Sequence, residues 1–387
     1  MTLLDSRRYF LGALGAAAAG ALLLPDRTQG DEIDRREKAR VSPEVVLKTL
    51  AATCKILVPQ DMGSLPGEFS QPSFGSGSLI QCPTALKEMV GANQMVILTA
   101  AHNFSGAPKD VALTVEFYVW SSGRVALRES LNARILASDR FFRQTDDVAF
   151  LVIDLPSDPS RVAELRRRAL PVEIPLRFTQ FAPIASVGFS AGKCTLLDDL
   201  RLLDQQPQRR SGKIGLCLSG FVEAGHSGAP LVDEEGAIIG VVSGSHKQPS
   251  LAQGGPLDFL QRWAPRFFTN ETPSEVTLLT QKHDLGNIPQ EIRTSNGRMI
   301  GPSASAILEF AATVKVEYTH SLCEAVALLE QAKKLNSQLR SSHIPDESKT
   351  ILTSELKQNL ATNIEKLFEK IGGVPNSIVE QVSNYGL

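Results

Sequence analysis

The chain has 387 residues, 42% hydrophobic and 21% charged, close to the globular average, and it is longer than one domain of about 100 to 200 residues needs. Its 29 Gly and 22 Pro follow no period, which excludes collagen-like and low-complexity classes. A formal charge of -2 provides no polybasic stripe for a phosphate backbone, so nucleic acid is not expected as a partner.

Residues 1–30 place Arg7 and Arg8 ahead of an apolar run from Phe10 to Leu24, which Pro25 ends. That run is shorter than the roughly 20 residues a membrane-spanning helix takes, and its layout predicts a secretory signal peptide. The segment Ser6-Arg7-Arg8-Tyr9-Phe10-Leu11 resembles the bacterial twin-arginine export signal, which implies a periplasmic or extracellular destination. Thr28-Gln29-Gly30 is a poor cleavage site, so retention as an N-terminal anchor stays open. No cysteine precedes Cys54, which excludes lipid attachment at the signal end.

Residues 31–43 read as a charged spacer that has no face to bury. From 44 to 265 short β-branched runs alternate with Gly and Pro turn clusters, as in Ser76–Gln81, Met95–Thr99, Val111–Trp120, Val148–Ile153 and Ala237–Val242. This rhythm predicts an all-β barrel class. One helical pattern, Arg161–Leu170, falls midway, where a connector between two halves belongs. Residues 266–301 read as a linker. Residues 302–387 carry helical periodicity, with Leu352, Leu356, Leu360, Ile364, Leu367 and Ile371 on one stripe until Gly372-Gly373-Val374-Pro375 stops it. This C-terminal extension is expected to be a helical hairpin docked on the barrel, with a surface for a protein partner or self-association as the sharper alternative.

Three segments of the β-rich region carry candidate chemistry. In Ile97-Leu98-Thr99-Ala100-Ala101-His102-Asn103 an apolar strand ends at a histidine. In Asp146-Asp147-Val148-Ala149-Phe150-Leu151 an acidic pair opens an apolar strand; alone this is an ordinary strand-start turn. In Gly225-His226-Ser227-Gly228-Ala229-Pro230-Leu231-Val232 a serine lies between glycines and ahead of a strand, an unusual demand for packing alone.

Together, in this order and at spacings of 147 − 102 = 45 and 227 − 147 = 80, the segments resemble the trypsin and chymotrypsin-like serine proteases. The resemblance implies two six-stranded antiparallel β-barrels followed by the helical extension. It implies His102 as general base and acid, Asp147 as the group orienting it and Ser227 as nucleophile. It assigns Gly225 and Ser227 as backbone donors to the oxyanion, and Ser243, Gly244 and Ser245 as the strand that pairs with substrate. Phe221 falls at the base of the specificity pocket, where no acidic residue supports a strict Lys or Arg preference. Animal trypsins carry Asp before the nucleophile to receive a newly cut N-terminus; His226 stands there, so that mode of activation is not expected. Asn103 replaces a cysteine that often follows the histidine.

Cys194 and Cys217 flank a predicted turn near Gln205–Arg210 and are a candidate disulfide; Cys54 and Cys82 are a second. No Cys or His pair in the domain has ligand spacing, so neither a metal nor another cofactor is expected. The expected activity is a serine endopeptidase acting on protein or peptide substrates. Two alternatives stand beside it. An α/β-hydrolase has a similar Gly-x-Ser-x-Gly elbow, but Pro230 opposes the helix that fold needs after its serine. The other is a catalytically silent binding module on a protease fold.

Overall fold

The computed structural model describes residues 40–59, 73–105, 107–108, 110–121, 124–142, 146–177, 179–207, 214–219, 224–247, 277–278, 291–292 and 297–384. The twin-arginine segment and most of the charged spacer lie outside the described residues. Helix α1 (Pro43–Ala52) starts where the Ser42 hydroxyl accepts from Val45 N at 3.3 Å, with Pro43 in the first turn where no N–H is needed. Its buried Val46 and Leu50 pack on Ala185, Val187 and Leu196.

The first barrel comprises β1 (Thr53–Val58), β2 (Ser73–Ile80), β3 (Gln94–Thr99), β4 (Leu113–Ser121), β5 (Arg124–Ser138) and β6 (Ala149–Asp154). They close in the order β1-β2-β3-β6-β5-β4 with every pair antiparallel. Strand alternation points Cys54, Ile56 and Val58 of β1 into the same interior as Val115 and Phe117 of β4 and Leu151 and Ile153 of β6. Helix α2 (Pro159–Arg168), capped by Asp158, then leads to the second half.

The second sheet runs β11 (Ile238–Val241), β10 (Pro230–Val232), β7 (Pro183–Gly188), β8 (Thr195–Pro207), β9 (Ile214–Ser219), β15 (Gly297–Pro302) and β12 (Gly244–Lys247). A bridge between Gly240 and Ser303 brings β11 back to the end of β15, so six strands curl into a second antiparallel barrel, with β12 on the outer edge of β15. The short β13 (Thr277–Leu278) and β14 (Glu291–Ile292) pair with each other, and β14 meets β8 at Leu196. This is the two-barrel class that the sequence implied, and it excludes the α/β-hydrolase alternative, which needs a parallel sheet with a helix after the nucleophile.

Three helices follow: α3 (Ala304–Ser341), α4 (Asp346–Leu367) and α5 (Asn376–Asn384). The first turns of α3 are buried in the cluster that joins the barrels, where Ile307, Phe310 and Val314 meet Phe150, Val152, Val232 and Val241. The Phe310 ring stacks on Phe150 at 5.7 Å and meets Phe142 edge-on at 5.5 Å. Farther out, Ala325, Leu329 and Ala332 pack on Leu360, Ile364 and Phe368 to make the hairpin's own core. The chain then returns to the first barrel: Arg134 Nη1 donates to the Gly372 carbonyl at 3.0 Å, and Gly372 takes φ +63° so close to β5 that a Cβ would lie 2.5 Å from the Ile135 carbonyl oxygen.

Two expectations are corrected. The boundary at 265, with 266–301 as linker, cut through the second barrel, because β15 pairs with β9 from Arg298 to Pro302 and with β12. The segment Gly-Arg-Met-Ile-Gly-Pro has too few apolar residues to announce a strand, and its pairing is dictated by the sheet that receives it. The cysteine pairings also fail: all five cysteines lie among the described residues and none is in a disulfide. β8 continues for 13 residues, so Cys217 sits opposite Asp204, ten positions (204 − 194) beyond Cys194. At roughly 3.3 Å per residue the two are far outside the about 7 Å that a bridge allows. Cys54 points into the first barrel and Cys82 into the inter-barrel cluster. Burial raises the Cys54 thiol and pushes that of Cys194 up to about 12, so neither is a reactive thiolate.

Candidate active site

β3 and β6 pair from Gln94↔Asp154 to Thr99↔Ala149, so the residues just after β3 and just before β6 are neighbours. His102 lies on a single 3-10 turn, Ala101–Phe104, past the end of β3, and Asp147 lies two residues ahead of β6. Asp147 holds His102 twice: Oδ1 accepts the backbone N–H at 2.8 Å, and Oδ2 meets ring Nδ1 at 2.7 Å. Of the acidic pair, Asp147 therefore faces the imidazole, while Asp146 is buried.

The Asp147 backbone has φ +62°, a left-handed conformation that few non-glycine residues adopt. The buried Asp139 carboxylate accepts the Asp147 N–H, and Asp139 N donates to the Val148 carbonyl at 3.0 Å, so Asp139 closes the turn from both sides. Burial, with the charges of Asp147 and Asp146 nearby, pushes the Asp139 carboxyl up to about 6. The Ser243 hydroxyl donates to Asp147 Oδ2. The His102 imidazole is held above its ordinary value, chiefly by its hydrogen bond to Asp147, against the opposing effect of burial, with the charges of Asp147 and Asp139 adding to it.

Ser227 approaches from the second barrel, in the turn before β10. Its carbonyl accepts from Ser76 N at 2.8 Å and from Asn103 Nδ2 at 3.0 Å, which ties the Ser227 segment to β2 and to the residue beside His102. Among the described contacts no hydrogen bond joins Ser227 Oγ to His102 Nε2; such bonds commonly tighten only when substrate arrives. Gly228 has φ +88°, and a Cβ there would lie 2.0 Å from the Ser76 carbonyl oxygen, so glycine is required for the two barrels to approach this closely.

The peptide between Ala224 and Gly225 has a defined direction. The Ala224 carbonyl accepts from Ala191 N at 2.7 Å, and because a trans peptide points its N–H opposite to its C=O, Gly225 N is turned the other way. The Gly225 carbonyl accepts from Ser76 Oγ at 2.7 Å, which itself accepts from Phe189 N at 2.9 Å. Gly225 has φ +96°, with Phe74 and the Phe189 carbonyl filling the place of a side chain. Among the described residues neither Gly225 N nor Ser227 N donates to another backbone group.

Gly244 and Ser245 begin β12, whose one sheet neighbour among the described residues is β15. Ser243 lies just ahead of that strand, and its hydroxyl also donates to Asp147. Phe221 and the Ser245 side chain lie outside the described residues. Sequence reasoning did not single out Asp139, Ser76 or Ala191; none of them carries a local motif, and their roles arise from contacts across the fold.

Residues 76–241 match the trypsin-like peptidase domain. The matched stretch of the trypsin-like peptidase domain contains His102, Asp147 and Ser227 and stops before Ser243, β12, β15 and the helices. Similar solved structures include the Rv3671c protease from M. tuberculosis in its active form, 20% identical, covering 54% of this chain and 78% of that one, with a TM-score of 0.35. Deg5 is 18% identical, covering 55% and 86%, with a TM-score of 0.37. The HtrA-type protease AlgW with a tripeptide is 17% identical, covering 51% and 52%, with a TM-score of 0.35. No curated protein matches the chain.

Proposed function

We propose that the chain is a serine endopeptidase that hydrolyses peptide bonds through an acyl-enzyme. The observation that carries this reading is the double hold of Asp147 on His102 beside a serine whose loop presents two backbone N–H groups. Ser227 Oγ attacks the scissile carbonyl while His102 Nε2 takes its proton, and Asp147 keeps Nδ1 protonated so that Nε2 is the basic nitrogen. The carbonyl oxygen, now an anion, lies between Gly225 N and Ser227 N, a stabilisation worth about 2.7 to 4 kcal/mol for one donor in a measured enzyme. His102 then gives its proton to the leaving amine. Water, deprotonated by the same imidazole, releases the acid and restores the serine. β12 has β15 as its one sheet neighbour among the described residues, and this supports binding of the substrate as an added strand on its other edge.

Stoichiometric labelling of Ser227 by a fluorophosphonate tests the reading, with labelling abolished in His102→Ala. Absence of labelling at any pH would leave a silent module. Export by the twin-arginine route belongs to the same proposal and is supported by Arg7-Arg8 ahead of the apolar run. Replacing both arginines with lysine is expected to retain the protein in the cytoplasm of a bacterial host, and unchanged export would contradict it.

A further inference from the structure

His226 precedes the nucleophile and is fully buried. Its Nε2 meets Ser186 Oγ at 3.0 Å and its Nδ1 meets Ser190 Oγ at 3.2 Å. Ser186 belongs to β7 and Ser190 to the turn that follows, so both partners stand on the wall of the second barrel. Gly188 lies between them, and a Cβ there would fall 2.6 Å from His226 Nδ1, so the strand is kept bare where the ring sits. The same turn carries Ala191, whose N–H holds the Ala224 carbonyl while its own backbone takes φ +48°. One short segment, 186–191, thus grips the nucleophile loop on both sides of Gly225.

We infer that His226 is the positioning residue of the oxyanion site, locking the Gly225 and Ser227 N–H groups in their receptive direction within the uncut chain. The inference rests on the serine endopeptidase reading and deepens it. A serine hydroxyl both donates and accepts, so two of them match the imidazole in either tautomer. An aspartate in this place would need a cation delivered from elsewhere; His226 needs only two hydroxyls supplied by neighbouring residues of the same barrel. The oxyanion loop is therefore complete without a new chain end.

Two measurements on the full, uncut chain test this: the rate of fluorophosphonate labelling across pH, and amide hydrogen exchange of residues 224–228. In labelling, Ser227 Oγ bonds to phosphorus, fluoride leaves and the serine proton passes to His102. Ser186→Ala/Ser190→Ala and His226→Phe are expected to lower the plateau rate about 100-fold, as for loss of one oxyanion donor, with the acid limb unmoved because His102 is untouched. Exchange at 224–228 is expected to accelerate at least tenfold while the double serine variant still unfolds in one cooperative transition, and exchange in the first barrel is unchanged. His226→Gln, which retains a donor and an acceptor, is expected to recover most of the rate. Wild-type labelling rates together with unchanged exchange in folded Ser186→Ala/Ser190→Ala would overturn the inference. If the wild-type chain fails to label, the enzyme reading falls, and the exchange comparison alone decides whether His226 holds the loop.

Discussion

Asp139 accepts the backbone N–H of Asp147, so the direction of one carboxylate is fixed by a second, buried one. This has a consequence for pH. On the proposed mechanism His102 works as the neutral imidazole, and its elevated value predicts a labelling rate that falls on acidification from a pH above the usual imidazole value of about 6.5. Asp139→Asn retains an oxygen acceptor for Asp147 N but removes a negative charge that favours the imidazolium, so the acid limb is expected to move to lower pH. The labelling rate measured from pH 5 to 9 checks this; a limb that stays in place would show that the Asp139 charge does not reach His102.

The same substitution is expected to stabilise the fold. The folded Asp139 carboxyl, at about 6, lies above its unfolded value near 4, so its contribution to stability is full below about pH 4 and is lost as pH rises through 6. Asn, which does not ionise, avoids that loss. The gain at pH 7 is expected to be on the order of 2 to 3 kcal/mol by urea unfolding and to vanish near pH 4. An equal gain at both pH values would assign it to packing.

Asp147→Asn is expected to leave the fold intact and lower the rate about 10⁴-fold, the loss seen when the equivalent carboxylate in a well-studied triad becomes an amide. The amide oxygen still serves the His102 N–H, but an NH2 group then faces Nδ1 and selects the wrong tautomer. Labelling kinetics with circular dichroism of the variant would separate this from unfolding.

Gly225→Ala places a methyl 2.2 Å from Phe74 and 2.5 Å from the Phe189 carbonyl oxygen, at φ +96°. The peptide has to turn, and one oxyanion donor is lost with it. The expected cost is about 10² to 10³ in kcat with KM for a peptide substrate little changed. A loss confined to KM would contradict the assigned direction of this N–H.

Phe310→Ala removes the ring that α3 inserts between the barrels and is expected to cost about 3 to 5 kcal/mol, read as a lower denaturation midpoint of the whole domain. An independently melting tail would instead leave the barrel transition where it is.

Much of the site was legible because each member stands at a strand end with its own local signature: apolar run then His102, Asp147 then apolar run, glycines around Ser227. The strands themselves were visible through β-branched runs bounded by turns, as in β3 and β6. Contacts that depend on distant segments were not. The length of β8, which separates Cys194 from Cys217, is set by the partner strands it meets. Ala191 at φ +48° is an alanine where local preference favours glycine, held there by the hydrogen bond of its N–H to the Ala224 carbonyl. The β15 strand, with two glycines and a proline among its six residues, has weak strand preference of its own, and its pairing with β9 and β12 makes it a strand.

That last strand sets an order of assembly. A ribosome releases His102, Asp147 and Ser227 well before Pro302, which comes 302 − 227 = 75 residues after the nucleophile. Until then the second barrel lacks the strand that joins β9 to β12. On the proposed mechanism, a nascent chain therefore carries His102, Asp147 and Ser227 before the sheet that supports β12 is complete.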